Sequence, residues 1–177
     1  MSEIKLFIAT SIDGFIAREN GSIDWLNEIP NPESLDYGYE DFLAEIDVLI
    51  MGRKTYEEIL GFGVPWPYGN CKSFVVSADA NYKTQTEHTE SIFKFDLQRI
   101  NKIKSASKKG VWIVGGGQLI SEFIRHNLID EMTLSLIPII LGKGIRLFPN
   151  NPKETKFNLI KSEPFPTGIV NLHYRRK

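Results

Sequence analysis

The sequence carries one cysteine, Cys71, in 177 residues. A lone thiol excludes an intrachain disulfide and a cysteine-rich metal site, and it suits a reducing, cytoplasmic compartment. Histidine is almost as scarce. His88, His126 and His173 lie in dissimilar contexts without ligand spacing, so no metal is expected. Neither sign of charge is in excess: 21 Lys and Arg against 22 Asp and Glu leave a net −1, too little to draw the chain to nucleic acid or membrane. The cluster Lys102, Lys104, Lys108 and Lys109 falls at the end of an expected helix, where cations complement the dipole. No apolar run approaches the roughly 20 residues of a membrane helix, and the opening MSEIKLFIAT has no basic region followed by a long apolar stretch, so no signal peptide is expected. There is no internal repeat, linker or low-complexity block. The remainder, 42% apolar and 24% charged, is ordinary globular composition, and the length suits a single domain over residues 1–177.

Strand and helix patterns alternate along the chain. IKLFIAT is apolar on both faces and reads as a central strand of a covered sheet. Asp13-Gly14 and Asn20-Gly21 mark turns after it. YGYEDFLAEI places Tyr39, Phe42, Leu43 and Ile46 on one helical face; DVLIMG is a strand and RKTYEEIL a helix. KSFVVS is a third strand, IFKF a short apolar patch, and LQRINKIKSASKK a helix with Leu97, Ile100 and Ile103 inward. VWIVGGG, QLISEFIRHNLI and EMTLSLIPIIL read as strand, helix and strand, and the tail as an antiparallel hairpin. The class is α/β, a sheet covered on both faces with an antiparallel C-terminal edge.

In VWIVGGGQLISEF three glycines stand in a row at a strand end. Glycine costs about 0.5–1 kcal/mol relative to alanine where order is needed, so a triplet answers a steric demand. Tight packing of a helix start on a strand is one answer. A Rossmann fingerprint fails, since Ile120 stands where its third glycine belongs and the motif comes late in the chain; no Gly-Lys-Ser/Thr follows to make a Walker loop. A third answer is an anion site of backbone N–H groups at a helix start. The chain offers a second such place in LIMGRKTYEEI, where Arg53, Lys54 and Thr55 follow Gly52. Cations there oppose the helix dipole unless an anion lies between them. A solvated basic turn accounts for the same residues without a ligand. Two such sites in one α/β sheet suggest a dinucleotide across the carboxyl ends of neighbouring strands.

SIDGFIA with GSIDWL, DVLIMGRKTYEEI, and VWIVGGGQLISEFIRHNLIDEMTLSLIPIILGKGIRLF together carry a resemblance over nearly the whole chain. The chain resembles the dihydrofolate reductase superfamily, and within it the reductase domain of the riboflavin-biosynthesis deaminase-reductases and their stand-alone relatives. The resemblance implies a three-layer sandwich with a mostly parallel sheet and an antiparallel C-terminal hairpin, a homodimer, and NADPH as cofactor. It implies that Arg53, Lys54 and Thr55, after Gly52, meet the 2′-phosphate and pyrophosphate. Ser77 and Ala78 would flank the adenosine. Gly115, Gly116, Gly117, Gln118 and Leu119 would pass beneath nicotinamide and pyrophosphate, with Ala9 and Ile16 bordering the nicotinamide. Asp13, Phe15, Trp25 and Ser135 would line the heterocyclic substrate. For Trp25 and Phe15 core packing is the competing reading, and Asp13 suits a turn cap.

Hydride transfer to a C=N bond also needs a proton at nitrogen. Asp36, with Glu40 and Asp41 nearby, stands closest to the acid of folate reductases, although a solvated helix-face charge is the plainer reading of each. The arginine- and histidine-bearing segment of the riboflavin enzymes has no counterpart in YEDFLAEIDVLI, and the deaminase domain with its zinc ligands is absent from this chain. The expected function is therefore an NADPH-dependent reductase of a small heterocycle: a 5-amino-6-(5-phosphoribosylamino)uracil-like pyrimidine, or a pterin or dihydrofolate. The alternative is a nucleotide- or pterin-binding protein of the same fold that has lost catalysis.

Overall fold

A computed structural model describes residues 2–149 and 153–177. Its order is β1 (Glu3–Ser11), β2 (Phe15–Ala17), α1 (Tyr39–Ala44), β3 (Val48–Gly52), α2 (Arg53–Leu60), β4 (Lys72–Ser77) and β5 (Thr89–Phe93). Then come α3 (Leu97–Ala106), β6 (Gly110–Gly115), α4 (Gly117–Arg125), β7 (Glu131–Ile137), β8 (Ile145–Arg146), β9 (Phe157–Pro164) and β10 (Val170–Arg176). A single 3-10 turn, Asp24–Leu26, carries Trp25.

Eight strands form one sheet in the order β5-β4-β3-β6-β1-β7-β10-β9. Pairings from β5 to β7 are parallel, and β10 runs antiparallel to both β7 and β9. The doubly apolar β1 lies inside, between β6 and β7, as its sequence requires. Alternate residues of the sheet serve two cores. Ile4, Leu6, Ile50 and Ile113 pack with Ile100 and Ile103 of α3 and with Ile120 and Phe123 of α4. Leu49, Met51 and Trp112 pack with Tyr56 and Ile59 of α2 and with Tyr39, Phe42 and Leu43 of α1. The result is the expected three-layer arrangement.

Three local expectations are corrected. Leu97, at the first position of α3, is 37% exposed, which leaves Ile100 and Ile103 as the inward pair. The strand expected over EMTLSLIPIIL ends at Ile137, because Pro138 has no N–H to continue the ladder. Ile92 and Phe93 of the short patch IFKF end a fuller strand, β5, paired with β4 from Thr89 to Phe93, and Lys94 and Phe95 lie beyond it.

Parallel pairing brings the carboxyl ends of β1, β3, β4, β6 and β7 to one edge, the usual ligand edge of such sheets. A two-stranded ribbon of β2 and β8 stands apart from the main sheet, with Phe15 opposite Arg146 and Ala17 opposite Ile145. It joins the loop after β1 to the segment after β7.

Candidate functional site

The two glycine sites of the sequence meet, because β3 and β6 are neighbours. A Cβ built on Gly52 would lie 3.7 Å from the Gly116 nitrogen, and one built on Gly116 would lie 3.5 Å from Thr55 Oγ1. The helices that start here, α2 and α4, have glycine N-caps, Gly52 and Gly116, with no side-chain cap. By contrast α3 is capped by Asp96, whose carboxylate accepts from the Arg99 N–H. Two adjacent helix starts therefore present uncapped N–H groups and the positive ends of their dipoles. Neither has an acidic residue in its first turn.

Arg53 and Lys54 are exposed at the start of α2, and Thr55 is half-buried. Ser77 ends β4 buried, its hydroxyl accepting from the Asp79 N–H at 3.0 Å, while Ala78 is exposed. Gln118 is exposed. The Leu119 side chain points into the core beside α4, so this residue offers only its backbone to the edge. Ala9 and Ile16 are half-buried, Ala9 packing beside Trp25 and Ile16 against the larger core.

Each glycine of the triplet has a different reason. Gly115 has φ +147°, where a side chain is strained. At Gly117 a Cβ would lie 2.3 Å from the Arg146 carbonyl oxygen. At Gly116, φ is an ordinary −88° and a Cβ would meet the protein only at van der Waals distance. No neighbouring atom of the described protein crowds out a side chain there.

On the other side of the edge, Ala9 pairs with Ser135, and Ser135 with Asn171. Ser135 Oγ donates to Asn171 Oδ1 at 2.7 Å, and Asn171 Nδ2 donates to the Tyr37 carbonyl at 2.8 Å. That chain fixes the Asn171 amide and commits the Ser135 proton, leaving Ser135 an acceptor for any further partner. Trp25 is fully buried among Ile137, Ile169 and Ala9, and its Nε1–H has no partner among the described residues. Phe15 is buried in the β2–β8 ribbon, with the Arg146 guanidinium 4.8 Å from its ring centroid.

The carboxylates are engaged elsewhere. Asp13 accepts from Ser11 Oγ at 2.6 Å and from the N–H groups of Leu141 and Gly142 at 3.1 and 2.7 Å, clasping the loops after β1 and β7 together. The Ser11 hydrogen bond above all holds its carboxyl below the ordinary value of 3.8. A depressed folded value means stability that is present above the unfolded value and lost as pH falls through the folded one. We expect acid melting curves from about pH 5 to about pH 2 to fall more steeply for the wild type than for Asp13→Asn. Parallel curves would show that the clasp contributes nothing.

Asp36 is exposed, and its oxygens accept from the Glu40 and Gly38 N–H groups at 2.9 and 3.1 Å, bonds that lower its pKa. It clasps the start of α1. A proton donor at neutral pH needs the opposite shift.

Two residues near the edge escaped the sequence reading. Asn171 was signalled only by an amide at an inward-facing position of the last strand. Tyr82, whose ring lies under the Arg53 guanidinium, sits in a polar stretch with no motif.

The sequence pattern of the RibD C-terminal domain family matches residues 66–171, which include Ser77, the glycine triplet, Ser135 and Asn171. The chain belongs to the RibD C-terminal domain family. The chain is 38% identical over 173 residues to the uncharacterized protein YwjB of Bacillus subtilis (strain 168), covering 97% of this chain and 96% of that one. It is similar at 35% identity to the solved structure of a putative riboflavin biosynthesis protein from Shewanella sp. PV-4, with a TM-score of 0.85 over 99% of both chains. The fold also matches dihydrofolate reductase from Enterococcus faecalis, complexed with NADP(H) and RAB-propyl, at a TM-score of 0.69 and 17% identity over 99% of this chain and 96% of that one. The chain thus has a dihydrofolate-reductase-like α/β fold. Among the described residues, no helix is long and apolar enough to cross a membrane.

Proposed function

We propose that the protein is an NADPH-dependent reductase of a small heterocycle. The observation that carries this reading is the pair of adjacent uncapped helix starts, with Gly116 between them open to an outside group. Backbone N–H donors there suit a pyrophosphate, and the Arg53 fork with the Lys54 point charge suits a 2′-phosphate. Thr55 would add its hydroxyl, for which no partner is recorded among the described residues. Ser77, Ala78, Gln118 and the Leu119 backbone would flank the dinucleotide, and Ala9 and Ile16 its reactive ring. Bound NADPH supplies hydride to a C=N or C=O carbon of the substrate.

The substrate's polar edge would meet Trp25 Nε1 as donor and Ser135 Oγ as acceptor. A buried donor without a partner costs about 1–3 kcal/mol, which a ligand's acceptor or a water offsets. A neutral lactam edge of a pyrimidine offers both complements. A folate-type amidine would look for a free carboxylate, but Asp13 and Asp36 are held by backbone N–H groups. This favours a 5-amino-6-(5-phosphoribosylamino)uracil-like pyrimidine over a pterin or dihydrofolate. The single cysteine suits the cytoplasm, and the exposed Leu159 and Ile160 on the outer strand β9 suit burial in a homodimer.

The engaged carboxylates also favour a second reading, a binding protein of this fold without turnover, since neither Asp13 nor Asp36 is left to deliver a proton. Oxidation of NADPH in the presence of pyrimidine or pterin substrates separates the two, and saturable binding without oxidation would sink the reductase. The cofactor site has its own test. We expect Arg53→Ala to weaken NADPH about ten-fold or more, the size of a charge-assisted pair, with NADH changed less than about two-fold. Thermal melting reads this through RT ln(1 + [L]/Kd), about 2.7 kcal/mol at one hundred times Kd. Equal losses for the two dinucleotides would remove Arg53 from the phosphate.

A further inference from the structure

Resting on the reading of Arg53 as a 2′-phosphate ligand, we propose that Tyr82 positions Arg53 and thereby sets the preference for a phosphorylated dinucleotide. The Arg53 Cζ stands 5.7 Å from the Tyr82 ring centroid, and its Nε is 3.8 Å from Glu57 Oε1, one turn along α2. A ring on one face and a carboxylate on Nε define the guanidinium plane. No partner is recorded for its two Nη groups among the described residues, and these form the edge that a phosphate takes in fork geometry. Lys54 has neither ring nor carboxylate and acts only as a point charge.

Tyr82 is itself held from both ends of its segment. On one side, the Asp79 N–H donates to Ser77 Oγ at 3.0 Å and the Asn81 N–H to Asp79 Oδ1 at 2.9 Å, rooting the turn in the end of β4. On the other, the Gln85 and Thr86 N–H groups donate to the Tyr56 hydroxyl at 2.9 and 3.0 Å. Tyr56 is fully buried and meets the Tyr82 ring edge-on, with centroids 6.5 Å apart. The platform under Arg53 is therefore tied to the core and to the strand end beside the adenosine side of the proposed site. Burial first, and then nearby Glu57, pushes the Tyr82 phenol up to about 12, so the ring stays neutral at physiological pH. Its hydroxyl is buried beside Glu57, the carboxylate that also holds Arg53 Nε. What the site uses is the ring face. An arginine already stacked on such a ring loses less side-chain freedom when it takes a phosphate than a free one does.

The test is titration calorimetry with adenosine 2′,5′-bisphosphate and with AMP, on wild type, Tyr82→Leu and Tyr82→Phe, with thermal melting of each variant to confirm folding. Tyr82→Leu should weaken the bisphosphate about two- to five-fold, the range of an exposed cation–π contact, and leave AMP unchanged. Tyr82→Phe should stay within about two-fold of wild type, because it keeps the ring face under Arg53. In an Arg53→Ala background, Tyr82→Leu should have no further effect. Equal loss for both nucleotides would make Tyr82 a packing residue, and a Phe variant as weak as Leu would move the role to the hydroxyl. Either result overturns the proposal. A bisphosphate preference that depends on Arg53 but ignores Tyr82→Leu overturns the positioning role alone. A wild type with no preference removes the 2′-phosphate reading and the positioning role with it.

Discussion

Gly117→Ala is expected to destabilise the fold by about 3 kcal/mol or more, at or beyond the upper end of ordinary overpacking. The added Cβ would sit 2.3 Å from the Arg146 carbonyl oxygen, 2.9 Å from Pro149 Cδ and 3.1 Å from the Leu147 carbonyl oxygen. Two of these three are backbone atoms, so no rotamer change relieves the clash. The segment cannot withdraw freely either. Ser121 Oγ donates to the Pro149 carbonyl at 2.9 Å, the Leu147 N–H donates to the Gly14 carbonyl at 2.9 Å, and Leu147 is buried in the larger core. Relief would have to move the β2–β8 ribbon, which is itself packed so closely that a Cβ on Gly144 would lie 2.3 Å from the Ala17 carbonyl oxygen. For a domain of this size the expected fall in Tm is about 6–12 °C, measured by calorimetric or circular-dichroism melting. A melting temperature within about 2 °C of wild type would mean that residues 145–149 yield at little cost, and the packing account of Gly117 would fail.

Much of this arrangement was legible before any coordinates. The strand KSFVVS and the helix RKTYEEIL appear with the bounds their patterns suggest, because period and flanking glycine agree there. The interior place of β1 followed from IKLFIAT being apolar on both faces. What one sequence cannot carry is strand order, and strand order is what makes the site. Gly52 and Gly115 lie far apart in the chain and become neighbours only because β6 pairs with β3 on one side and β1 on the other. The same limit hid Asn171 and Tyr82, whose contacts are with Ser135 and Arg53 in distant segments.

The acids illustrate a different limit. Asp13 and Asp36 have the residue type that acid catalysis asks for, but short-range geometry decides their use. Asp13 precedes a glycine in a turn and reaches the N–H groups of Leu141 and Gly142 across the loop; Asp36 precedes a short helix and accepts from Gly38 and Glu40. Aspartate competes well for such backbone donors, and the competition is invisible until the partner loop is placed. The family resemblance pointed to one end of the sheet without telling which of its polar groups remain free.

Gly116→Val is the converse of Gly117→Ala. We expect a folded chain that melts within a few degrees of wild type and binds NADPH at least about one-hundred-fold more weakly, a loss of roughly 2.7 kcal/mol or more. The two positions are adjacent, and the contrast rests on what surrounds each. At Gly116 the backbone has φ −88° and ψ −176°, an extended conformation that any residue adopts, and the one protein atom near an added Cβ is Thr55 Oγ1 at 3.5 Å. The fold thus has room for a side chain where the sequence supplies none. Gly116 is also the N-cap of α4, between the uncapped starts of two helices, so side-chain atoms there would stand in front of the N–H groups that a pyrophosphate needs. Gly116→Ala should show a smaller loss, since a single methyl leaves part of the approach open. Titration calorimetry gives the affinities, and melting without ligand gives the stabilities. Retained NADPH binding in a stable Gly116→Val chain would return the glycine triplet to packing alone. Loss of stability in step with loss of binding would mean that the fold, and not a ligand, requires the glycine.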